Sequence, residues 1–162
     1  MDTALKQPEL EAMLDRAVQD VTEKTAGIRL HLGANPPNGE LCTVHITFKK
    51  GFHSSLSLCA DTSMLERMAS SIVRKERVSP QDLEEFSKEY FNVLCGRIAA
   101  LLFQATKVPA RFSVPSFHRG RFAPEDHEEQ FALNYANEHR EGAQLIHHVP
   151  RRREDTDFNP TT

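Results

Sequence analysis

Cysteine is scarce in this chain of 162 residues, and Cys42, Cys59 and Cys95 form no C-x-x-C pair. That spacing excludes a disulfide framework and leaves reduced thiols, as expected of a cytoplasmic protein. Long apolar runs are also missing, so no bilayer-spanning helix is expected. The opening residues Met1-Asp2-Thr3-Ala4-Leu5-Lys6 lack the pattern of a secretion signal. Clustered cations are few. The formal net charge is -3, and the one basic run, Arg151-Arg152-Arg153, is followed by Glu154, Asp155 and Asp157. Nucleic acid is therefore not an expected partner, because phosphate backbones require clustered Lys and Arg. A Gly-rich phosphate loop, a G-x-S-x-G elbow and a reactive-cysteine signature are all absent from the sequence. So are internal repeats and low-complexity tracts.

What is present is enough to build one core. Hydrophobic residues make up 39% of the chain, and the length favours a single domain. That domain is expected over residues 1–150, with 151–162 as a disordered tail.

Periodicity sets the elements. Leu10, Met13, Leu14, Ala17, Val18 and Val21 recur at helical spacing between Pro8 and Lys24, and Gly27 is the stop. Residues 27–32 alternate as a strand would. Cys42, Val44, Ile46 and Phe48 alternate with polar residues, as do Phe52, Leu56, Leu58 and Ala60. Lys49-Lys50-Gly51 between the two runs predicts a hairpin. The even-numbered residues are assigned to the core. The odd face, rich in Thr, Ser and His, is expected to be wet or to form a polar subunit contact. This register puts Cys42 and Cys59 on opposite faces.

Asp61 is expected to cap a second helix over 62–75, with Met64, Leu65, Met68, Ile72 and Val73 inward. Ser79-Pro80-Gln81-Asp82 is a strong helix start. The third helix then runs to about Ala105, with Leu83, Phe86, Tyr90, Leu94, Ile98, Leu101 and Ala105 as its buried stripe. Residues 111–114 predict a short strand ending at Pro115, and 129–136 with 143–149 a closing hairpin. The sum is an α+β fold, an antiparallel-rich sheet packed with long helices.

The outward face of the third helix carries the candidate chemistry. Glu89 and Asn92 are three residues apart, which puts a carboxylate and a carboxamide side by side. Gly96, Ala99 and Ala100 offer little bulk beside them, so a partner could approach closely. Phe103 is apolar where a surface helix favours charge. Elsewhere the signals are weaker. His147 and His148, adjacent in a strand, point to opposite faces and cannot share a metal. His45 and His53 could approach across the hairpin, but surface imidazoles are the plainer reading.

Glu89, Asn92 and, after a gap of twenty-two residues, Pro115 together reproduce a spaced motif. With Gly96 and the stretch Pro115-Ser116-Phe117-His118-Arg119-Gly120, it resembles the CheC/CheX/FliY phosphatase family across roughly residues 8–149. A single Glu-x-x-Asn helix is more similar to the CheX pattern than to the CheC pattern. One departure is Glu85, which stands where the family usually has Asp or Ser.

The resemblance implies a phosphatase for the aspartyl phosphate of a CheY-type receiver domain. Glu89 would pair with the receiver's lysine, and Asn92 would orient a water for in-line attack. Glu85, Gly96, Ala99, Phe103 and Pro115 would contact the partner. The Mg²⁺ of such a reaction would belong to the receiver, so no cofactor or metal of this chain's own is expected. A homodimer is implied as well. The alternative is a receiver-binding scaffold of the same fold with weak or no hydrolysis. An unrelated ligand-binding α+β domain, needing an apolar pocket, is a more distant third.

Overall fold

The computed structural model describes residues 5–151 apart from position 75; the expected tail beyond Arg151 lies outside the described residues. Three helices, α1 (Gln7–Ala26), α2 (Thr62–Val73) and α3 (Pro80–Thr106), lie over one seven-stranded sheet. Its strands are β1 (His31–Leu32), β2 (Leu41–Lys50), β3 (Ser55–Asp61), β4 (Arg111–Phe112), β5 (Ser116–Arg119), β6 (His127–Ala136) and β7 (Gly142–Pro150). Every pairing is antiparallel, in the order β1-β6-β7-β3-β2-β4, with β5 also on β2. The fold class is the expected one.

Register explains the core. Phe117, Val44, Leu58, Leu145 and Leu133 stand opposite one another across five strands. Side chains alternate between faces, so this row and its even-numbered neighbours in β2 and β3 point together toward the helices. They meet Leu14, Val18, Leu94 and Ile98 in one continuous cluster. Each such side chain, fully buried, contributes on the order of 1.5–3 kcal/mol.

The odd face is neither wet nor open. Thr43, His45, Ser55, Ser57 and Cys59 are all buried. The chain's own segment 120–127 crosses this face. Thr43 Oγ1 donates to the Gly120 carbonyl at 2.8 Å and accepts from Phe122 N–H at 3.2 Å. The Phe122 ring stacks on His118 at 3.9 Å and meets His45 edge-on at 5.2 Å. Cys42 and Cys59 are free thiols on opposite faces, as the register requires.

Several local expectations change. The strand expected over 27–32 shrinks to His31–Leu32, because only the end of β6 is there to pair with it. The β2–β3 connection extends through Ser54, which closes the turn by accepting from Phe48 N–H; Phe52 is buried in that turn. Asp61 precedes α2 without capping it by its side chain. Its carboxylate instead accepts from Gly39 N–H and Gly142 N–H, tying two loops together. Ile72 and Val73 are exposed, because α2 stops at Arg74 and its last turn passes the edge of the core. Ala105 is exposed for the same reason at the end of α3. The strand expected over 111–114 stops at Phe112, and β5, which no periodicity announced, follows Pro115.

Candidate functional site

The helix that carries the site begins as its sequence dictates. Ser79 Oγ accepts from Asp82 N–H, and the Asp82 carboxylate reaches back to Ser79 N–H. Pro80 occupies the first turn, where its missing N–H costs nothing. The helix then continues to Thr106, and Lys107 closes it in the left-handed region.

Glu89-Tyr90-Phe91-Asn92 splits at the helix surface. Tyr90 and Phe91 are buried, while Glu89 and Asn92 are exposed. The Tyr90 hydroxyl meets Thr22 of α1 at 2.5 Å, and burial pushes its pKa up to about 12. Phe86 stacks on Tyr90 at 5.9 Å. On the adjoining side, Arg97 pairs with Asp20 of α1 at 3.2 Å. Anchoring of this kind is what a precisely held pair of polar side chains needs.

Along the outward ridge stand Glu85, Glu89, Asn92, Gly96 and Phe103, all exposed, with Ala99 half-buried beside them. Glu85 accepts from Gln81 Nε2 at 3.1 Å. A Cβ at Gly96 would meet nothing within 4 Å, so no packing among the described residues requires glycine there. Phe103 is 46% exposed and Val93, which sequence reasoning missed, 44%. Val93 lies beside Asn92, and a hydrophobic residue outside the assigned buried stripe was the available signal. Pro115 is half-buried ahead of β5, a strand that touches α3. Beside it Val114 is 84% exposed.

The histidines do other work. His45 Nδ1 and His148 Nε2 both bond the Ser57 hydroxyl, at 2.7 and 3.0 Å. His53 instead lies exposed in the β2–β3 turn. On the helix side of the sheet, His147 bonds Gln130 Oε1 at 2.7 Å and stacks on Phe131. Burial lowers His45, His147 and His148 to about 4 each, with neighbouring imidazoles adding to the effect. All three are neutral structural groups near pH 7. Among the described residues, no group of three or more His, Cys, Asp or Glu is placed to hold a metal. An open groove of about 670 Å³ beside α2 is lined by Glu66, Arg67, Glu76 and Arg77 among others, and does not have the character of an enclosed apolar pocket.

Three helices packed on one antiparallel sheet define a recognised class of α+β domain. The fold is that of the CheX, CheC-like and FliY chemotaxis proteins. CheX from Desulfovibrio desulfuricans superposes with a TM-score of 0.69 at 16% identity, covering 86% of this chain and 97% of its own. CheX from Vibrio vulnificus gives 0.70 at 11% identity, covering 89% and 98%. The CheX of a CheX-CheY-BeF3-Mg complex from Borrelia burgdorferi gives 0.64 at 14% identity, covering 88% and 98%. At these identities the likeness is one of fold. No family model and no curated protein matches the chain.

Proposed function

We propose that this protein is a CheX-like phosphatase acting on the aspartyl phosphate of a CheY-type response regulator. The observation that carries the reading is the exposure of Glu89 and Asn92 together on a helix whose intervening residues, Tyr90 and Phe91, are locked inside. The Borrelia burgdorferi structure of the same fold is a complex of CheX with CheY, BeF3 and Mg, which supports a receiver as the partner class. The chain is read as cytoplasmic, working as a homodimer.

The chemistry follows from the two side chains. Glu89 pairs with a cationic group of the receiver and sets the docking pose. Asn92 enters the receiver's site and orients a water in line with the phosphorus. Phosphoryl transfer depends on positioning and charge neutralisation, so an oriented water suffices without a covalent nucleophile. A neutral carboxamide does this without adding repulsion beside an anionic phosphoryl group. The receiver supplies the Mg²⁺ that neutralises developing charge.

The test is the decay of phosphate on receiver domains with the wild-type protein and with Asn92→Ala. Accelerated decay that vanishes in the variant, with binding retained, is expected. A second reading, a receiver-binding scaffold with weak hydrolysis, is favoured by Glu85, whose side chain is longer than the Asp or Ser that the resemblance leads one to expect there. It predicts binding with no Asn92-dependent decay.

A further inference from the structure

Two stretches of the chain carry no carboxylate at all. One lies between Glu40 and Asp61, the other between Glu89 and Glu125. Lys49, Lys50, Arg97, Lys107, Arg111, Arg119 and Arg121 all fall within them. Scattered singly, these residues form no cluster in sequence beyond Lys49-Lys50. The fold gathers four of them into one corner.

Lys50 stands directly opposite Arg111 across the β2–β4 pair. The segment leaving α3 presses on the β2–β3 turn so closely that a Cβ on Gly51 would lie 2.3 Å from the Pro109 carbonyl oxygen. That contact brings Lys107, two residues before Pro109, to the same corner as Lys49, Lys50 and Arg111. All four are exposed. Among the described residues, no ion pair with a carboxylate joins any of them. The nearby groove contains Asp126, but its carboxylate is 2.9 Å from His127 Nδ1, and Arg151 lines the same groove.

Like charges facing each other across a sheet repel, so the Lys50–Arg111 pair weakens the fold slightly. Among the described residues no carboxylate pairs with either cation to offset this, whereas an acidic partner would. The corner is also continuous with the site. Lys107 closes α3 one turn beyond Phe103, and its Nζ lies 5.9 Å from the Phe103 ring. Asn92, Gly96, Phe103 and Lys107 follow one line along the helix. From Asn92 to Lys107 the rise is about 22 Å, within the width of a small domain docked on the ridge.

We propose that this basic corner is a second docking contact for the receiver. It engages an acidic surface about 22 Å from the phosphorylated aspartate and so selects among receivers. The inference rests on the reading of α3 as a receiver-docking helix. Glu89 at one end and the Lys/Arg corner at the other give the ridge opposite charges at its two ends. A partner is accepted in one orientation only, with its cation at Glu89 and its acidic patch at the corner. Nucleic acid fits less well, because four cations on a chain of net charge -3 make a weak phosphate track.

The test uses receivers of the source organism loaded with acetyl phosphate. Phosphate loss is followed against receiver concentration at about 50 mM and about 300 mM salt. Wild type is compared with Asn92→Ala and with a variant combining Lys49→Gln, Lys50→Gln, Lys107→Gln and Arg111→Gln. For the combined variant KM should rise on the order of tenfold at low salt, with kcat within about twofold and a flattened salt dependence. Lys107→Gln alone should move KM in the same direction and serves if the combined variant does not fold. Unchanged KM and unchanged salt dependence would overturn the proposal. If wild type accelerates no decay, the phosphatase reading fails by itself, and binding to beryllofluoride-loaded receivers decides the corner. Loss of binding in the combined variant supports it; equal affinity, or no receiver bound by wild type, overturns it. Tight binding of a DNA duplex that the same replacements abolish also overturns it.

Discussion

Tyr90 and Thr22 share a hydroxyl contact of 2.5 Å inside the core, joining α3 to α1 directly behind the Glu89 and Asn92 pair. Tyr90→Phe leaves the Thr22 hydroxyl buried without this partner and should cost about 1–2 kcal/mol. Thr22→Val should cost a similar amount. The double variant should cost less than the sum, because the two changes remove one shared bond. Urea unfolding of the four proteins measures this cycle, and strict additivity would show that the bond contributes nothing.

Gly96 sits within α3 with open space where its Cβ would be. Gly96→Ala should therefore stabilise the protein by roughly 0.5–1 kcal/mol, seen as a higher Tm. Gly96→Leu, which fills the notch on the ridge, should fold equally well and weaken receiver docking. Undiminished docking by the Leu variant would remove Gly96 from the contact surface.

Glu85 offers a direct comparison between the two functional readings. Among the described residues its carboxylate bonds Gln81 on the solvent side, so replacement should change stability by less than about 0.5 kcal/mol. If its length limits turnover, Glu85→Asp should raise the phosphatase rate severalfold at constant binding. A rate unchanged by this replacement would show that the longer acid is not the limit.

Acid should weaken the fold through its buried imidazoles. His45, His147 and His148 have folded values lowered to about 4, against about 6.5 in the unfolded chain. Between these values the unfolded state binds more protons. Stability is therefore full above about pH 6.5 and is lost as the pH falls through about 4. Thermal unfolding from pH 7.5 to 4 should show this decline, and His45→Gln with His148→Gln should flatten it. A Tm independent of pH over that interval would contradict the neutral, buried assignment.

Much of the site was legible because it is local. Ser79, Pro80 and Asp82 start α3 through bonds within four residues. A helical period of 3.6 then separates Tyr90 from Glu89 and Asn92 without reference to the rest of the chain. The same holds for β2 and β3, where alternation alone assigned Val44 and Leu58 to the core. Val93 lies outside the assigned buried stripe, which was the signal for its exposure, and the packing of α1 and β5 against α3 shows where that stripe ends. Ile72, Val73 and Ala105 were misplaced for a related reason: periodicity carries a face onward, while burial stops where the neighbouring elements stop.

The ridge, its carboxylate and carboxamide, and the fold class are encoded locally, since each follows from side-chain spacing over a few residues. Long-range packing was needed to bring segment 120–127 over the polar face of the sheet, to pair β5 with β2, and to place Lys49, Lys50, Lys107 and Arg111 at one corner. These depend on contacts between residues about sixty to eighty apart. Such contacts are chosen by how whole elements pack, so no local pattern of residues encodes them.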